Sequence, residues 1–363
     1  MRKVVYLTFN DGPGGIFTSQ VVDVCRFLHD ELKLEVQLIS FISLRGFFAG
    51  RKKIREQFPG AIVLPMWPGV QNWRRNRLVL RRKLSGIAPD TIIARGPIAA
   101  VLAGDGATGA RICFDARAAY AAEYSEFNVA GGKITAAEME SIEREALQNC
   151  DCAIAVSAAL VGYWKSTYGY SGNKHVVIPC TFIDSSRVEL RKNDNAATRI
   201  VFAGGNGKWQ STELISEMLE PLFANDPRIE LVMLSRPLPH PFPLAEKYPS
   251  RVSFRWVKES AVHQELMQCD YGWMFRSSSV TNRVASPVKF AEYLRAGLNV
   301  IVSPGLGDFS EFVGSHNCGI IIKENKVPPL LPLTAEQRTR NSELARQYFT
   351  KKAYIDEYKF CVG

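Results

Sequence analysis

The sequence predicts an α/β protein with two parallel-sheet domains in tandem. The first indication is length, because 363 residues exceed one ordinary hydrophobic core and favour about two domains. The second is that short apolar runs alternate with helical patterns, which is typical of a parallel sheet covered by helices on both faces. The third is that this alternation breaks off at a polar stretch and then starts again.

The first series of apolar runs predicts an N-terminal domain over residues 1–183. A helix from about Thr18 to Asp30 follows the first run, and further helical patterns separate the later ones. The predicted strands are VVYLTF, EVQLISF, TIIA, ARICFD, CAIAVS and HVVIP. The polar stretch SSRVELRKNDNAAT that follows predicts an interdomain connection.

The second series predicts a C-terminal domain over residues 198–333. Its expected strands are RIVFAGG, IELVMLS, RVSFRWV, CDYGWMF, NVIVSP and CGIIIK, and the proline-rich stretch VPPLLPL ends it. The polar segment 334–363 is expected to be helical and to pack back on the N-terminal domain. Open α/β sheets bind ligands at the carboxyl ends of their strands, so two such domains predict a ligand cleft between them.

The composition is that of a soluble globular protein. Hydrophobic residues make up 46% of the chain, and no apolar run approaches the roughly 20 residues that a membrane-spanning helix needs. The N-terminus enters a strand without a signal-peptide pattern, so a cytoplasmic location is expected. The eight cysteines show no metal-binding spacing, and buried reduced thiols are favoured over a disulfide or zinc framework.

The charge balance predicts anionic partners. A net charge of +9 is compatible with phosphates, nucleic acid or acidic lipid. Nucleic acid is not expected, because the chain contains no recognised nucleic-acid motif and no basic patch interleaved with aromatic residues. No bound metal is expected either, since the five histidines have no metal-ligand spacing and no DxD motif occurs.

The stretch SPVKFAEYLRAGLNVI predicts a helix that leads into a buried strand. Ser286 is expected to cap a helix that Pro287 begins, with Leu294 on its buried face. Lys289 and Glu292 then share the opposite face. Two interpretations are open for this pair, a solvated ion pair of small energetic value or a ligand-binding pair.

Glycine-rich loops follow the first predicted strand of each domain. They are NDGPGGIF, with Gly14 and Gly15, and FAGGNGKW, with Gly204 and Gly205. Neither loop has the GxGxxG spacing of a dinucleotide-binding fingerprint. Their matched positions nevertheless favour anion binding in the cleft.

In their order along the chain these motifs resemble those of glycosyltransferase family 4, whose members have the GT-B fold. The resemblance covers nearly the whole chain and includes the glycine pair and the segments TIIARGPIAA, ICFDARAAYAAEY, EREALQNCDCAIAVS, VVIPCTFID and IVFAGGNGKW. The block CDYGWMFRSSS followed by ASPVKFAEYLRAGLNVIVSPGLGDFSEFV is the strongest match. The resemblance implies two Rossmann-like domains that face an interdomain cleft. It also implies transfer of a sugar from a nucleoside diphosphate sugar with retention at the anomeric carbon.

The resemblance also implies how the donor is bound. Glu292 matches the acidic residue that accepts hydrogen bonds from the ribose hydroxyls, and the helix N-terminus near Ser286 faces the diphosphate. Lys289 is a candidate for a phosphate contact, with a role only as partner to Glu292 as the alternative. Lys208 and Arg276 are further candidates for the diphosphate, each with a plain surface charge as the alternative.

The chain departs from the family pattern at one position. An acidic residue that contacts the transferred sugar is replaced by Val284. Sugar recognition is therefore assigned to other groups of that loop, with Ser278 and Ser279 as candidates. The identity of the donor sugar is left open by this departure.

The catalytic candidates lie in the N-terminal half. Amides of Gly14 and Gly15 are expected to stabilise the departing diphosphate without a metal ion. Asp115 and Arg117 are candidates for orienting the acceptor or a phosphate, and an internal ion pair is the alternative. Two rival functions are a GT-B-type epimerase or phosphorylase and a non-catalytic nucleotide-sugar-binding protein. A glycan or lipid-linked acceptor in surface polysaccharide, lipopolysaccharide or capsule biosynthesis is what the family analogy implies.

The basic segment Trp73–Leu84 has two interpretations. On a helical wheel Trp73, Leu80 and Leu84 align, while arginines and Lys83 cover the remaining surface. The segment is either a solvated helix that packs on the N-terminal domain or a docking surface for an anionic membrane. The second interpretation predicts a peripheral protein at the inner face of the plasma membrane.

Overall fold

A computed structural model describes residues 1–106, 109–129, 133–184, 197–205, 207–238 and 240–363. The chain forms two compact units. The N-unit contains Met1–Ile183, Val284–Ser286 and Lys351–Gly363, and the C-unit contains Asp184–Arg283 and Pro287–Thr350. Most of the predicted interdomain connection lies outside the described residues.

The N-unit is built on a sheet of seven parallel strands in the order β3-β2-β1-β4-β5-β6-β7. Its strands are β1 (Lys3–Phe9), β2 (Glu35–Ile42), β3 (Ile62–Pro65), β4 (Thr91–Arg95), β5 (Arg111–Ala116), β6 (Cys152–Ala155) and β7 (His175–Val177). All six predicted strands are present. The sequence did not predict β3, because this short edge strand has only four residues and ends at a proline.

The helices of the N-unit cover this sheet. They are α1 (Gly15–Phe17), α2 (Asp23–Asp30), α3 (Phe47–Gln57), α4 (Arg77–Ile87), α5 (Pro97–Gly106), α6 (Tyr120–Phe127), α7 (Ala136–Asn149) and α8 (Ala158–Tyr168). A π-helical turn over Thr18–Val22 joins α1 to α2, and a 3₁₀ segment over Val70–Asn76 precedes α4. The helix predicted from Thr18 to Asp30 is therefore present as π-helical and α-helical parts.

The C-unit repeats the architecture with six parallel strands in the order β10-β9-β8-β11-β12-β13. The strands are β8 (Thr198–Ala203), β9 (Ile229–Leu234), β10 (Val252–Arg255), β11 (Tyr271–Met274), β12 (Asn299–Val302) and β13 (Gly319–Ile321). The helices are α9 (Leu214–Asn225), α10 (Pro243–Lys247), α11 (Glu259–Met267), α12 (Val280–Val284), α13 (Val288–Arg295), α14 (Asp308–His316) and α15 (Ala335–Phe349). All strands predicted for this half are present.

Both sheets change direction at the same place in their topology. In the N-unit the chain runs outward from β1 through β2 to β3, and β4 then pairs with the other side of β1. In the C-unit it runs outward from β8 through β9 to β10, and β11 then pairs with the other side of β8. These are topological switch points, where loops diverge and leave a crevice at the carboxyl ends of the strands. The prediction of two parallel-sheet α/β domains is confirmed, and each sheet has one such crevice.

The segment from residue 334 is divided between the units. Thr334 and Gln337 form a capping box at the start of α15, and Arg338 of this helix donates to Asp270 at 2.6 Å in the C-unit core. Lys351 and helix α16 (Ile355–Val362) belong to the N-unit. The buried Lys351 ammonium donates to Ser19 O and Thr181 O at 2.9 and 3.0 Å, which anchors α16 to the N-unit.

No helix in the described parts of the chain is long and apolar enough to cross a bilayer.

A buried carboxyl group in α7 gives a test of the N-unit packing. Glu143 is fully buried, and its Oε2 accepts from Ala121 N at 3.0 Å and from the Tyr168 hydroxyl at 2.9 Å. Burial raises the pKa of Glu143 from 4.5 to about 7. The native state therefore binds the Glu143 proton more tightly than the unfolded chain does. The stability that this tighter binding contributes is lost as pH rises from about 4.5 to about 7.

We expect Glu143→Gln to stabilise the protein at pH 8, because glutamine keeps an acceptor oxygen without the charge. The gain is at most about 3 kcal/mol, and it vanishes near pH 4, where Glu143 is protonated in both states. Urea unfolding of both proteins at the two pH values measures the difference. A difference of the same size at pH 4 and pH 8 would contradict the assignment.

Candidate functional site

Two buried cations lie beside the β8/β11 switch point of the C-unit. Arg276 follows β11, and its Nη1 donates to Asn282 Oδ1 at 3.3 Å, while its Nε has no hydrogen-bond partner among the described residues. Lys289 lies in the first turn of α13 and donates to Gln210 Oε1 at 2.6 Å. Its ammonium group also lies 4.3 Å from the centre of the Phe202 ring.

These cations are not neutralised within the described parts of the C-unit. No carboxylate of a described residue lies within 4.0 Å of Arg276 or Lys289, so the ion pair of Lys289 with Glu292 is not formed. Burial lowers the pKa of Arg276 to about 10. Burial, and then repulsion by Arg276, lowers the pKa of Lys289 well below its usual value. Such an arrangement is costly unless an anion joins it, so it is suited to bind phosphate groups.

The glycine loop after β8 positions Lys289 through a glutamine. Gln210 Nε2 donates to Gly205 O at 2.9 Å, and its Oε1 accepts from Lys289. A Cβ atom at Gly204 would lie 2.5 Å from Gln210 Oε1, so only glycine allows this approach. Lys208 is exposed at the start of the 3₁₀ turn Lys208–Gln210. The sequence predicted the glycines but not Gln210, because nothing in the local pattern indicates that a glutamine folds back on its own loop.

Glu292 lies one turn after Lys289 on α13. Its side chain is half-buried, and no hydrogen bond joins its carboxylate to another described residue. Burial, and then repulsion by Glu259 at the start of α11, raises the pKa of Glu292. The carboxylate therefore has free acceptor capacity. This arrangement can accept charge-assisted hydrogen bonds from a diol.

The position of α13 is set by one aromatic side chain. The Tyr293 hydroxyl accepts from Ala203 N at 2.9 Å, next to the glycine loop. A Cβ atom at Gly272 in β11 would lie 2.1 Å from the Tyr293 ring, so the ring packs directly on the bare backbone of the strand. The helix with Lys289 and Glu292 is thereby fixed against the β8/β11 crevice.

The predicted cap of α13 is wrong. The N-cap residue is Pro287, and no side chain caps this end of the helix. The Ser286 hydroxyl instead accepts from Cys180 N at 2.8 Å within the N-unit. The hydrogen bond from Cys180 N replaces the predicted capping bond, because it turns the Ser286 hydroxyl away from the first turn of α13.

The loop after β11 contains the predicted sugar-binding serines. Ser278 is exposed, and the Ser279 hydroxyl accepts from Asn282 N at 3.0 Å, which stabilises the start of α12. Val284, which replaces the acidic residue of the family pattern, is buried, and its carbonyl accepts from Ser157 Oγ at 2.7 Å. The Val284 side chain therefore packs in the protein interior.

An aromatic groove with a volume of about 380 Å³ lies at the carboxyl ends of β9 and β10. Trp256 forms one wall; it is 64% exposed, and the Arg236 guanidinium lies 4.9 Å from its ring centre. Phe254 and the buried Ser235 also line the groove, and the Ser235 hydroxyl has no partner among the described residues. An open aromatic face beside an unpartnered hydroxyl can hold a planar heterocycle. The sequence analysis did not identify this groove, because its residues come from two separate loops.

The N-unit has a charged network at its own switch point. Asp115 is fully buried, with Arg117 Nε at 2.7 Å from its Oδ1 and the Tyr6 hydroxyl donating to its Oδ2. Arg95, at the end of β4, lies 3.4 Å from Asp11 in the loop after β1. The internal ion pair considered for Asp115 and Arg117 is therefore formed, and Asp115 can act only through its neighbours.

Asp11 and the glycine loop form the accessible part of this network. Burial raises the pKa of Asp11, and 37% of its side chain is exposed. Gly14, in extended conformation before α1, and Gly15 are both exposed. A Cβ atom at Gly14 would meet nothing within 4 Å, so open space lies in front of this backbone. The sequence analysis missed Asp11 and Arg95, since their pairing depends on the β1/β4 neighbourhood.

No protein-family model and no curated protein sequence matches the chain. Solved structures match it over its full length. S. aureus TarM, a GT-B glycosyltransferase solved as a mutant with UDP, has a TM-score of 0.73 and 7% identity over 100% of both chains. Sucrose-phosphate synthase from Thermosynechococcus elongatus has a TM-score of 0.69 and 12% identity over 99% of this chain and 98% of its own.

A putative UDP-N-acetylglucosamine 2-epimerase from Listeria monocytogenes has a lower TM-score of 0.55 with 12% identity, over 99% of this chain and 90% of its own. These similarities show that the chain has the GT-B fold.

Proposed function

We propose that the protein is a glycosyltransferase that moves a sugar from a nucleoside diphosphate sugar to an acceptor hydroxyl, with retention at the anomeric carbon. The observation that carries the proposal is the pair of buried cations, Arg276 and Lys289, without a carboxylate partner among the described residues. Their position beside the β8/β11 switch point is where a parallel sheet binds a ligand.

The C-unit residues support a division of the donor into three parts. Arg276 and Lys289 would hold the diphosphate and stabilise the charge that develops on it as it leaves. Glu292 would accept hydrogen bonds from the ribose hydroxyls. The aromatic groove with Trp256 would hold the base, and uracil is the candidate because the similar TarM structure contains UDP.

Four further residues complete the proposed donor site. Ser278 and Ser279 are proposed for the transferred sugar, Ser286 for the neighbourhood of the diphosphate, and the exposed Lys208 for an outer contact with phosphate. Two fixed cations can neutralise the leaving group in the absence of a metal ion, and the sequence has no DxD motif to bind one. We therefore propose a metal-independent reaction.

The N-unit is proposed to bind the acceptor. Gly14 and Gly15 offer exposed backbone, and Asp11 beside them offers a carboxylate whose raised pKa suits an exchange of protons with a hydroxyl. Arg95 and Arg117 would orient these groups, with Asp115 as their buried counter-ion. The motif resemblance described above supports three further parts of the proposal. They are retention at the anomeric carbon, membership of family 4, and a role in surface polysaccharide, lipopolysaccharide or capsule biosynthesis.

A panel of donors tests the proposed function. The protein is incubated with UDP-, GDP- and ADP-sugars, with and without a glycan or lipid-linked acceptor, and released nucleoside diphosphate is measured. We expect one UDP-sugar to be used, with release increased by acceptor and unchanged by EDTA. Restoration of an EDTA-inhibited activity by manganese or magnesium would contradict the metal-independent mechanism.

The same panel separates the rival functions. An epimerase, which the Listeria neighbour represents, would convert one UDP-sugar into its epimer, visible by NMR, with no dependence on an acceptor. A non-catalytic binding protein would raise its melting temperature with a nucleotide-sugar but release no nucleoside diphosphate from any donor. Either pattern would overturn the proposal.

We also propose that the N-unit docks on an anionic membrane through Trp73–Leu84. The apolar stripe of Trp73, Leu80 and Leu84 is buried in the N-unit as expected. Leu78 and Val79 are exposed between basic residues, at 68% and 47%. Exposed apolar side chains within a basic helical surface are typical of interfacial binding.

Not every arginine of the segment is free to contact lipid. Arg74 lies 2.6 Å from Glu145 and 3.6 Å from Asp105, and it stacks on Trp73, so it belongs to the protein surface network. The basic residues directed to solvent are Arg77, Arg81, Arg82 and Lys83 on α4. Each contributes up to about 1 kcal/mol near an anionic surface, and salt screens the attraction.

We expect the protein to co-sediment with phosphatidylglycerol liposomes and not with neutral ones, and to be released by raised salt. Changing Arg77, Arg81, Arg82 and Lys83 to glutamine should abolish this binding while donor hydrolysis is retained. The matched control also removes four positive charges, by glutamine at the exposed Lys323, Lys326, Lys352 and Lys359, and it should leave liposome binding unchanged. If the wild type does not co-sediment with anionic liposomes at low salt, the segment is an ordinary solvated helix.

A further inference from the structure

Three cysteines from distant parts of the chain meet inside the N-unit. Cys113 on β5 and Cys152 on β6 are direct partners in the register of the two strands. Cys361 lies in the last turn of α16, which packs over them. All three side chains are fully buried, and their sulfur atoms lie within 4.8 Å of one another. The proposed transfer reaction does not use this cluster.

Two arginines bind the turn that carries Cys361. Arg111 Nε donates to Cys361 O at 3.2 Å, and its Nη2 donates to Phe360 O at 3.4 Å. Arg2 Nη1 donates to Val362 O at 3.4 Å. The Cys152 thiol donates to Cys361 O at 3.6 Å, which joins β6 to the same turn of α16. The two guanidinium groups thus hold the last turn of α16, which carries Cys361, against the sheet.

The spacing of the sulfur atoms matches a metal centre. A metal–sulfur distance of about 2.3 Å in a trigonal arrangement separates the sulfur ligands by about 4.0 Å, within the limit observed here. Zinc sites in proteins are nearly always four-coordinate, and no histidine, carboxylate or further thiol of the described residues joins this group. Soft thiolate ligands suit Cu(I), zinc and iron–sulfur clusters, and since zinc sites and iron–sulfur clusters usually take four protein ligands, three sulfur ligands favour Cu(I).

We propose that Cys113, Cys152 and Cys361 bind a soft monovalent cation of the Cu(I) class in a three-sulfur site. Binding forms three metal–sulfur bonds and releases the thiol protons of Cys113, Cys152 and Cys361 to solvent, with no change in oxidation state. The ion would join α16 to β5 and β6. Because Phe360 in the same turn is 46% exposed, local opening of this helix gives access to the site.

The test uses the full chain, reduced and freed of metal under anaerobic conditions. Cu(I) buffered by a competing chelator is added, and bound copper is measured by mass spectrometry together with the sulfur-to-copper charge-transfer absorption. We expect about one equivalent of tightly bound copper and a raised melting temperature. Cys361→Ser and Cys152→Ser should lose both, and Cys318→Ser, a buried cysteine of the C-unit, should retain both.

A measurement on the wild type covers the case in which these variants fail to fold. X-ray absorption of the copper-loaded protein should show three sulfur neighbours at one distance and no nitrogen. Fewer sulfur neighbours, or copper retained by a folded Cys361→Ser protein, would overturn the proposal. Because none of these readouts is enzymatic, the result is independent of the proposed transfer activity.

Discussion

Replacing Glu292 by alanine is expected to lower kcat/KM for the donor by about a hundredfold or more, because two hydrogen bonds to a carboxylate are lost at roughly 1.5–3 kcal/mol each. The fold should be unaffected, since α13 is held by the buried Phe290, Tyr293 and Leu294 rather than by this side chain. Initial rates of nucleoside diphosphate release at varied donor concentration give the measurement. Circular dichroism and thermal melting verify the fold.

Two further variants sharpen this result. Glu292→Gln keeps an acceptor oxygen and should retain more activity than alanine, and Glu311→Ala, an exposed carboxylate on α14, should behave as wild type. The raised pKa of Glu292 means that its carboxylate is protonated earlier as pH is lowered. On lowering the pH, the wild type should therefore begin to lose donor affinity at a higher pH than a protein with an ordinary glutamate at this position. A folded Glu292→Ala protein with wild-type turnover would exclude the ribose-binding role.

Replacing Lys289 by methionine is expected to change activity and stability in opposite directions. Loss of a charge-assisted contact to phosphate should lower kcat/KM by about tenfold to a hundredfold, at roughly 1.5–3 kcal/mol for the bond. Stability at pH 7 should rise, because methionine fills the space beside Phe202 without the cost of burying a cation. Activity assays and urea unfolding measure the two effects.

The pH dependence of this stability difference follows from the lowered pKa of Lys289. Between that pKa and 10.5 the unfolded chain binds more protons than the native state, so the stability of the wild type rises with pH. The advantage of Lys289→Met should therefore shrink as pH approaches 10.5. Lys208→Met, at the exposed lysine of the same region, is the control, and it should change stability little. If Lys289→Met loses activity and is destabilised at pH 7, Lys289 is a packing residue.

Much of the fold was predictable because its signals are local. Each predicted strand is a short apolar run bounded by turn residues, and the repeated strand order follows from two halves with the same alternation. The edge strand β3 was missed because four residues ending in proline resemble a loop. The face shared by Lys289 and Glu292 was predictable from helical periodicity, although the periodicity did not indicate that Lys289 is buried.

The remaining features of the site depend on tertiary partners. Ser286 is a good local cap whose hydroxyl accepts from Cys180, more than a hundred residues earlier in the chain. Gln210 is indistinguishable from a surface glutamine until Lys289 is placed beside it. Asp11 and Arg95 meet because β1 and β4 are neighbours, which the order of elements in the sequence does not specify.

The packing of Tyr293 on Gly272 makes the donor site sensitive to a position that no ligand would touch. Any side chain at residue 272 would collide with the ring, and α13 would have to move outward together with Lys289 and Glu292. Such a substitution would lower activity as if Lys289 and Glu292 had both been replaced. Its effect would not add to the effects of substitutions at those two residues, since coupled sites are non-additive. In a genetic screen, a substitution at position 272 would therefore be epistatic to substitutions at 289 and 292. A smaller side chain at position 293 would make room for the new side chain and is the expected second-site suppressor.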